Sequence, residues 1–198
     1  MRHRRPERPG HTAEPHFSRL AGAQRPVLYV GGGVLLSRAS DELERFVDHM
    51  GIPVAHSLMG KGALGDDHPL VLGMTGFWGT RLVNDTCLGS DVILAIGTRF
   101  KEADSSSWYR DYTFNIPATS LIHIDIEPSE ISRAYPTEIG AVADARAALK
   151  VLNRIARETY PEGFVNTDVV ERISDARTAF AVSNSPMATS TAFPMMPE

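Results

Sequence analysis

Short, wholly apolar runs alternate along this chain with stretches that repeat apolar residues at helical spacing. The first run is Pro-Val-Leu-Tyr-Val at 26–30, and it ends in Gly31-Gly32-Gly33. That pattern predicts a buried strand running into a tight turn. Over 37–50, Leu43, Phe46, Val47 and Met50 recur at helical spacing with charges between them, and Gly51 stands where a C-terminal cap belongs. A second strand is expected at 52–55, with Pro53 confining it to a strand start or a sheet edge. Residues 57–69 and 73–79 are Gly-rich and predict loops, followed by a helix over 80–88. The strongest strand pattern is Asp-Val-Ile-Leu-Ala-Ile at 91–96, closed by Gly97. Residues 101–117 are polar and aromatic, an irregular excursion. Strands follow at 120–125 and 141–142, a helical turn lies between them at 128–131, and a helix runs from Asp144 to about 158.

Strands that are apolar at every position are covered on both faces. This predicts an α/β fold of three layers, a mostly parallel sheet between two sets of helices. The domain spans 17–158. The first 16 residues, rich in Arg, Pro, His and Gly without apolar periodicity, are expected to form a disordered arm. The remainder, 159–198, reads as a linker, with a further helix possible over 169–182 and a Pro-rich end at Phe193-Pro-Met-Met-Pro-Glu198.

Composition narrows the function by exclusion. A net charge of -4 over 198 residues points away from nucleic acid as a partner. No apolar run approaches the roughly 20 residues that span a bilayer, so no membrane association is expected. The single Cys87 excludes an internal disulfide framework and a cysteine-rich metal cluster, and a cytoplasmic setting is the expectation. Seven scattered histidines show neither H-x-x-x-H nor H-E-x-x-H spacing. No G-x-S-x-G motif marks a serine nucleophile.

Five features fall at the ends of predicted strands, where open parallel sheets bind ligands. They are Gly31-Gly32-Gly33, Ser57-Leu58-Met59, Gly97-Thr98-Arg99-Phe100, Asp125-Ile126-Glu127 and Ala143-Asp144. The glycines either expose backbone N–H groups to a phosphate or make a tight turn; their spacing is not G-x-G-x-x-G. Arg99 is placed to reach a phosphate or stack on an adenine, or else to form a salt bridge at the sheet edge. Asp125 suits a ribose hydroxyl or a turn, and Asp144 suits a helix N-cap. Trp78 and Trp108 lie in loops where an aromatic stacks on a ring or fills an interdomain contact.

The stretches at 25–33, 73–79, 90–100 and 121–128, with Ala143-Asp144-Ala145, resemble the central domain of acetolactate synthase-like thiamine diphosphate-dependent enzymes. The likeness covers about residues 20–155. It implies a six-stranded Rossmann-like sheet set between a pyrimidine-binding and a diphosphate-binding domain. In that family thiamine diphosphate and Mg²⁺ bind between those outer domains across a dimer. Their metal motif and cofactor-activating glutamate are not found in this sequence. The resemblance therefore implies a fragment of a carboligase or decarboxylase acting on 2-oxo acids. Such a fragment has no catalytic residue of its own, those two domains as partners, and a tendency to self-associate. A free-standing nucleotide-binding module is the alternative; a sirtuin-like deacylase would need four zinc-binding cysteines. By position, the cofactor-lining residues implied are Gly31, Gly32, Ser57, Leu58, Phe77, Trp78, Gly97, Arg99, Asp125, Ile126 and Asp144. FAD-binding members tend to read Asp-Asp-Arg after the Arg-Phe pair, whereas this chain reads Lys101-Glu102-Ala103. FAD, ADP or an empty cleft thus stay open.

Overall fold

The computed structural model describes residues 13–188. Its strands are β1 (Pro26–Val30), β2 (Val54–His56), β3 (Val71–Met74), β4 (Val92–Ile96), β5 (Ser120–Asp125) and β6 (Ile139–Val142). All pair in parallel in one six-stranded sheet of order β3-β2-β1-β4-β5-β6. The helices are α1 (Ala13–Ala21), α2 (Gly32–Leu36), α3 (Ser40–Met50), α4 (Arg81–Leu88), α5 (Ala145–Thr159) and α6 (Thr167–Ala188).

Alternate strand residues enter opposite cores, which is why whole strands read as apolar. Leu28, Val30, Val92, Leu94 and Ile96 pack with Leu20 of α1, Phe46 of α3, and Leu149 and Leu152 of α5. Val27, Tyr29, Ile93 and Ala95 face the other way, against Val83 and Cys87 of α4 and Ile173 of α6. The result is a three-layer Rossmann-like domain. On the second face Tyr29, Phe100, Phe114 and Tyr135 form a cluster with ring centroids 5.1–5.9 Å apart. Burial also pushes the Cys87 thiol up to about 12, so it stays protonated and inert.

The helix expected over 37–50 is α3, which starts at Ser40, and the short α2 before it stands where a tight turn was expected. Arg38 adopts φ 54 and Ala39 N–H donates to Val34 O at 2.9 Å, closing α2 before α3 begins. Gly51 caps α3 as expected, at φ 61 with its N–H on Val47 O. The edge strand β3 was not expected. Helix α1 starts at Ala13, inside the stretch read as an arm, and residues 1–12 lie outside the described residues. Beyond the expected helix at 169–182, α6 extends from Thr167 to Ala188, and the rest of the linker reading lies outside the described residues. Arg177 ties α6 to the sheet: its guanidinium donates to the carbonyls of Asp66, His68 and Val71 at 2.8–2.9 Å. Among the described residues no helix is long and apolar enough to cross a membrane.

Two strands carry buried histidines, and these set a pH dependence. His56 Nδ1 lies 3.0 Å from Ser57 O, and His123 Nε2 lies 2.9 Å from Thr98 O. Burial holds both below the ordinary value of 6.5, because the imidazolium would lose its hydration. The unfolded chain therefore binds protons that the folded chain refuses. Stability is fully present above that ordinary value and is lost as pH falls from it toward the folded values, by up to about 1.4 kcal/mol per pH unit for each histidine. Urea unfolding is expected to show a lower midpoint at about pH 5.5 than at about pH 7.5. Equal midpoints would mean that these imidazoles stay solvated.

Candidate functional site

The strand order reverses between β1 and β4. From β1 the chain moves outward to β2 and β3, then returns to β4 and continues to β6. The connections beyond the turns after β1 and β4 leave to opposite faces of the sheet, and a cleft of about 440 Å³ opens over the carboxyl ends of the strands. Of the residues expected from the sequence, Gly32, Ser57, Gly97, Arg99, Asp125, Ile126 and Asp144 line it. Gly31, Leu58, Phe77 and Trp78 do not.

The glycines serve chain packing first. Gly31 N–H donates to Ile96 O and Gly33 N–H to Gly97 O, both at 3.0 Å. A Cβ on Gly31 would lie 2.2 Å from Gly97 O, so no other residue lets the two turns meet this closely. Gly32, on the first position of α2, keeps an N–H that no acceptor among the described residues takes. Ser57 Oγ accepts from Gly60 N–H at 3.1 Å and so starts a 3₁₀ turn over Leu58–Gly60. That turn sends the Leu58 side chain outward and presents Met59 to the cleft instead. Phe77 and Trp78 sit on another exposed 3₁₀ turn, Gly76–Trp78.

Arg99 is 61% exposed, and its Nε lies 3.7 Å from Glu130 Oε1. Arg133 holds the same carboxylate at 2.5 Å. The expected salt bridge is therefore present but long and solvated, worth about 0–1 kcal/mol, and it leaves the guanidinium free to exchange partners. Lys101, read from the sequence as a departure, also lines the cleft, and its ammonium has no ion pair among the described residues. Asp125 is only 6% exposed. Its Oδ1 accepts from Glu127 N–H at 2.9 Å, which is the turn, and its second oxygen is unused. Asp144 Oδ1 accepts from Ala147 N–H at 3.0 Å, so it caps α5.

Sequence reasoning missed Asp104. It lies in the irregular excursion, is 7% exposed and lines the cleft. Its Oδ1 accepts from Leu58 N–H at 2.8 Å, and its carbonyl accepts from Thr75 Oγ1 at 2.8 Å. Nothing local marks it, because both partners are distant in sequence. No group of three or more His, Cys, Asp or Glu side chains among the described residues is placed to hold a metal ion.

The site thus combines a free backbone N–H, two cations and carboxylate oxygens at a switch point. Residues 14–152 match the family model described as "Thiamine pyrophosphate enzyme, central domain". The chain belongs to that family. It is 42% identical over 133 residues to a probable acetolactate synthase large subunit of Methanocaldococcus jannaschii, covering 67% of this chain and 22% of the relative. It is 39% identical over 145 residues to a glyoxylate carboligase of Escherichia coli O157:H7, covering 73% and 24%. With an acetolactate synthase of Mycobacterium avium it shares 33% identity over 187 residues, covering 89% and 29%. The chain spans less than a third of the length of these relatives.

Proposed function

We propose that this chain is the nucleotide-holding central domain of a larger thiamine diphosphate-dependent carboligase or decarboxylase acting on 2-oxo acids, and that it catalyses no reaction alone. The family match and the relatives' names support the parent chemistry. The carbanion chemistry of such an enzyme is supplied by thiamine diphosphate. Its site and the Mg²⁺ are assigned to neighbouring pyrimidine- and diphosphate-binding domains, a reading supported by the family resemblance and by relatives of which this chain spans less than a third. Phe77, Trp78, Trp108 and Tyr109 are large and exposed, on or beside two 3₁₀ turns that pack against each other, a surface suited to contact with such domains or with a second copy.

The ligand assigned to the cleft is ADP or the adenylate half of FAD. Clefts for whole ligands run from roughly 300 to 1,000 Å³. At about 440 Å³ this one falls within that range. Asp125's free oxygen would take ribose hydroxyls, while Gly32 N–H, Arg99 and Lys101 would take the diphosphate. The observation that carries this reading is Arg99, a cleft cation held by its neighbour only at 3.7 Å. Titration calorimetry is expected to show saturable ADP binding that Arg99→Ala weakens about tenfold, or about 1.4 kcal/mol. Unchanged affinity in Arg99→Ala removes Arg99 from the site. No binding of ADP or FAD leaves a scaffold domain only, and tight, specific binding of thiamine diphosphate would overturn the assignment of that cofactor elsewhere.

A further inference from the structure

Arg99 keeps no close partner although two carboxylates stand beside it. Glu130, on the 3₁₀ turn Pro128–Glu130, holds its Oε1 3.7 Å from Arg99 Nε. Its other oxygen, Oε2, accepts from Arg133 Nε at 2.5 Å. The Glu130 side chain is only 12% exposed, so water is a poor substitute partner. The second acid, Glu127, lies within the field of Arg99, but its Oε1 accepts from Ser129 N–H at 3.1 Å and from the Ser129 hydroxyl at 2.7 Å. Charge-assisted contacts close at roughly 2.7–2.9 Å. Glu130 therefore needs to move only about 1 Å to close on Arg99, and Arg133 is what prevents it.

The backbone that carries Arg99 does not depend on Arg133. Three successive carbonyls there each accept from a different side chain: Thr98 O from His123 Nε2 at 2.9 Å, Arg99 O from Arg133 Nη2 at 2.7 Å, and Phe100 O from Trp108 Nε1 at 2.8 Å. Loss of Arg133 leaves the outer two bonds in place. Its effect on Arg99 is then carried by the side chain of Glu130. Arg133 does not line the cleft, so it has no direct contact to lose there.

We propose that Arg133 is a positioning residue: by occupying Glu130 it keeps that carboxylate off Arg99 and leaves the Arg99 guanidinium open to an anion. The use made of that opening rests on the reading of Arg99 given above. The opening itself does not, because it is a competition of two arginines for one carboxylate, and Arg133 wins it at 2.5 Å against 3.7 Å.

The test is a double-mutant cycle on the full chain with two readouts. Phenylglyoxal modification of Arg99, followed by mass spectrometry of the peptide that carries it, reports the open guanidinium without any nucleotide. Calorimetry with ADP reports its use. Arg133→Ala is expected to slow the modification about fivefold and to weaken ADP by the same factor, equivalent to about 1 kcal/mol, the upper end for an exposed ion pair. Glu130→Gln in that background is expected to restore both. Glu130→Gln alone is expected to leave both within about twofold, because Arg99 is already open. A mere change of charge near the cleft would make Glu130→Gln raise both by one factor in either background, and that additive outcome overturns the proposal. An unchanged modification rate in Arg133→Ala overturns it too, as does a loss that Glu130→Gln does not restore, which marks a purely structural role. Absence of ADP binding removes the nucleotide reading alone, since the modification rates decide this proposal by themselves.

Discussion

Gly97→Ala is expected to destabilise the folded chain by about 3 kcal/mol or more. Two causes act together. Gly97 holds φ +59, a left-handed conformation that costs an L side chain roughly 1–2 kcal/mol. A Cβ there would also lie 2.8 Å from Gly33 Cα and 3.1 Å from Gly33 C. Those atoms are backbone and cannot rotate away, so the turn after β1 must shift, at the roughly 1–3 kcal/mol typical of overpacking. Gly97 is pinned as well, its N–H on Ile124 O at 2.8 Å and its carbonyl accepting from Gly33 N–H. Gly62→Ala is the control: Gly62 has φ +82 with nothing within 4 Å, so it isolates the conformational cost. Urea unfolding of the two variants separates the causes. For a domain of this size the melting temperature of Gly97→Ala should fall by roughly 6–12 °C. If Gly97→Ala costs no more than Gly62→Ala, the turns after β1 and β4 do not meet as described. ADP binding should fall with stability, because the same contact shapes the cleft.

Central strands were the most legible part of the fold. β1 and β4 are apolar throughout because each is covered on both faces, so the pattern alone marks them, while β5 is buried along its length although Ser120, His123 and Asp125 are polar. β3 escaped notice for the opposite reasons. It pairs only with β2, its register shifts opposite Val54/Ala55, and Gly73 sits at φ +116 within it. A glycine in a short edge strand looks like a loop. The short α2 and the late start of α3 were equally hidden, since three glycines read as a turn and Arg38 takes a left-handed conformation where no glycine or proline announces it.

The site was legible as far as chain order determines it. Strand ends were identifiable, and the parallel order brings Gly32, Gly97, Arg99 and Asp125 to one cleft. What failed depended on tertiary contacts. Whether Leu58 or Met59 faces inward is decided by the Ser57 cap and by Asp104, 46 residues away. Lys101 stands where the FAD-binding pattern has an acidic residue, so this chain offers a lining cation two places before that pattern's arginine. Phe77 and Trp78 were implied by position in the family and lie outside the cleft, on a turn that packs against the excursion after β4.

That turn is clamped from α4 by one side chain, and Asn84→Leu is expected to destabilise the protein by about 2 kcal/mol. Asn84 is buried on α4 and clamps Gly76 twice: its Oδ1 accepts from Gly76 N–H, and its Nδ2 donates to Gly76 O, both at 3.0 Å. Thr113 Oγ1 donates to the same Oδ1 at 3.2 Å. Leucine matches the volume and offers no hydrogen bond, so the buried Gly76 N–H loses its partner at roughly 1–3 kcal/mol, while Gly76 O keeps only the bond from Gly79 N–H. Gly76 has no room to find others. It sits at φ +83, and a Cβ there would lie 1.9 Å from Ala103 O. The loss should spread along a traceable route, because Thr75 beside Gly76 anchors Asp104, and Asp104 holds Leu58 N–H. Amide exchange at Leu58 is therefore expected to accelerate in Asn84→Leu, although Leu58 does not touch Asn84. Asp85→Ala, on the same helix and paired only with Arg81 at the surface, should cost no more than about 0.5 kcal/mol. If the two variants prove equally mild in urea, Gly76 finds its hydrogen bonds elsewhere and α4 does not govern the rim of the cleft.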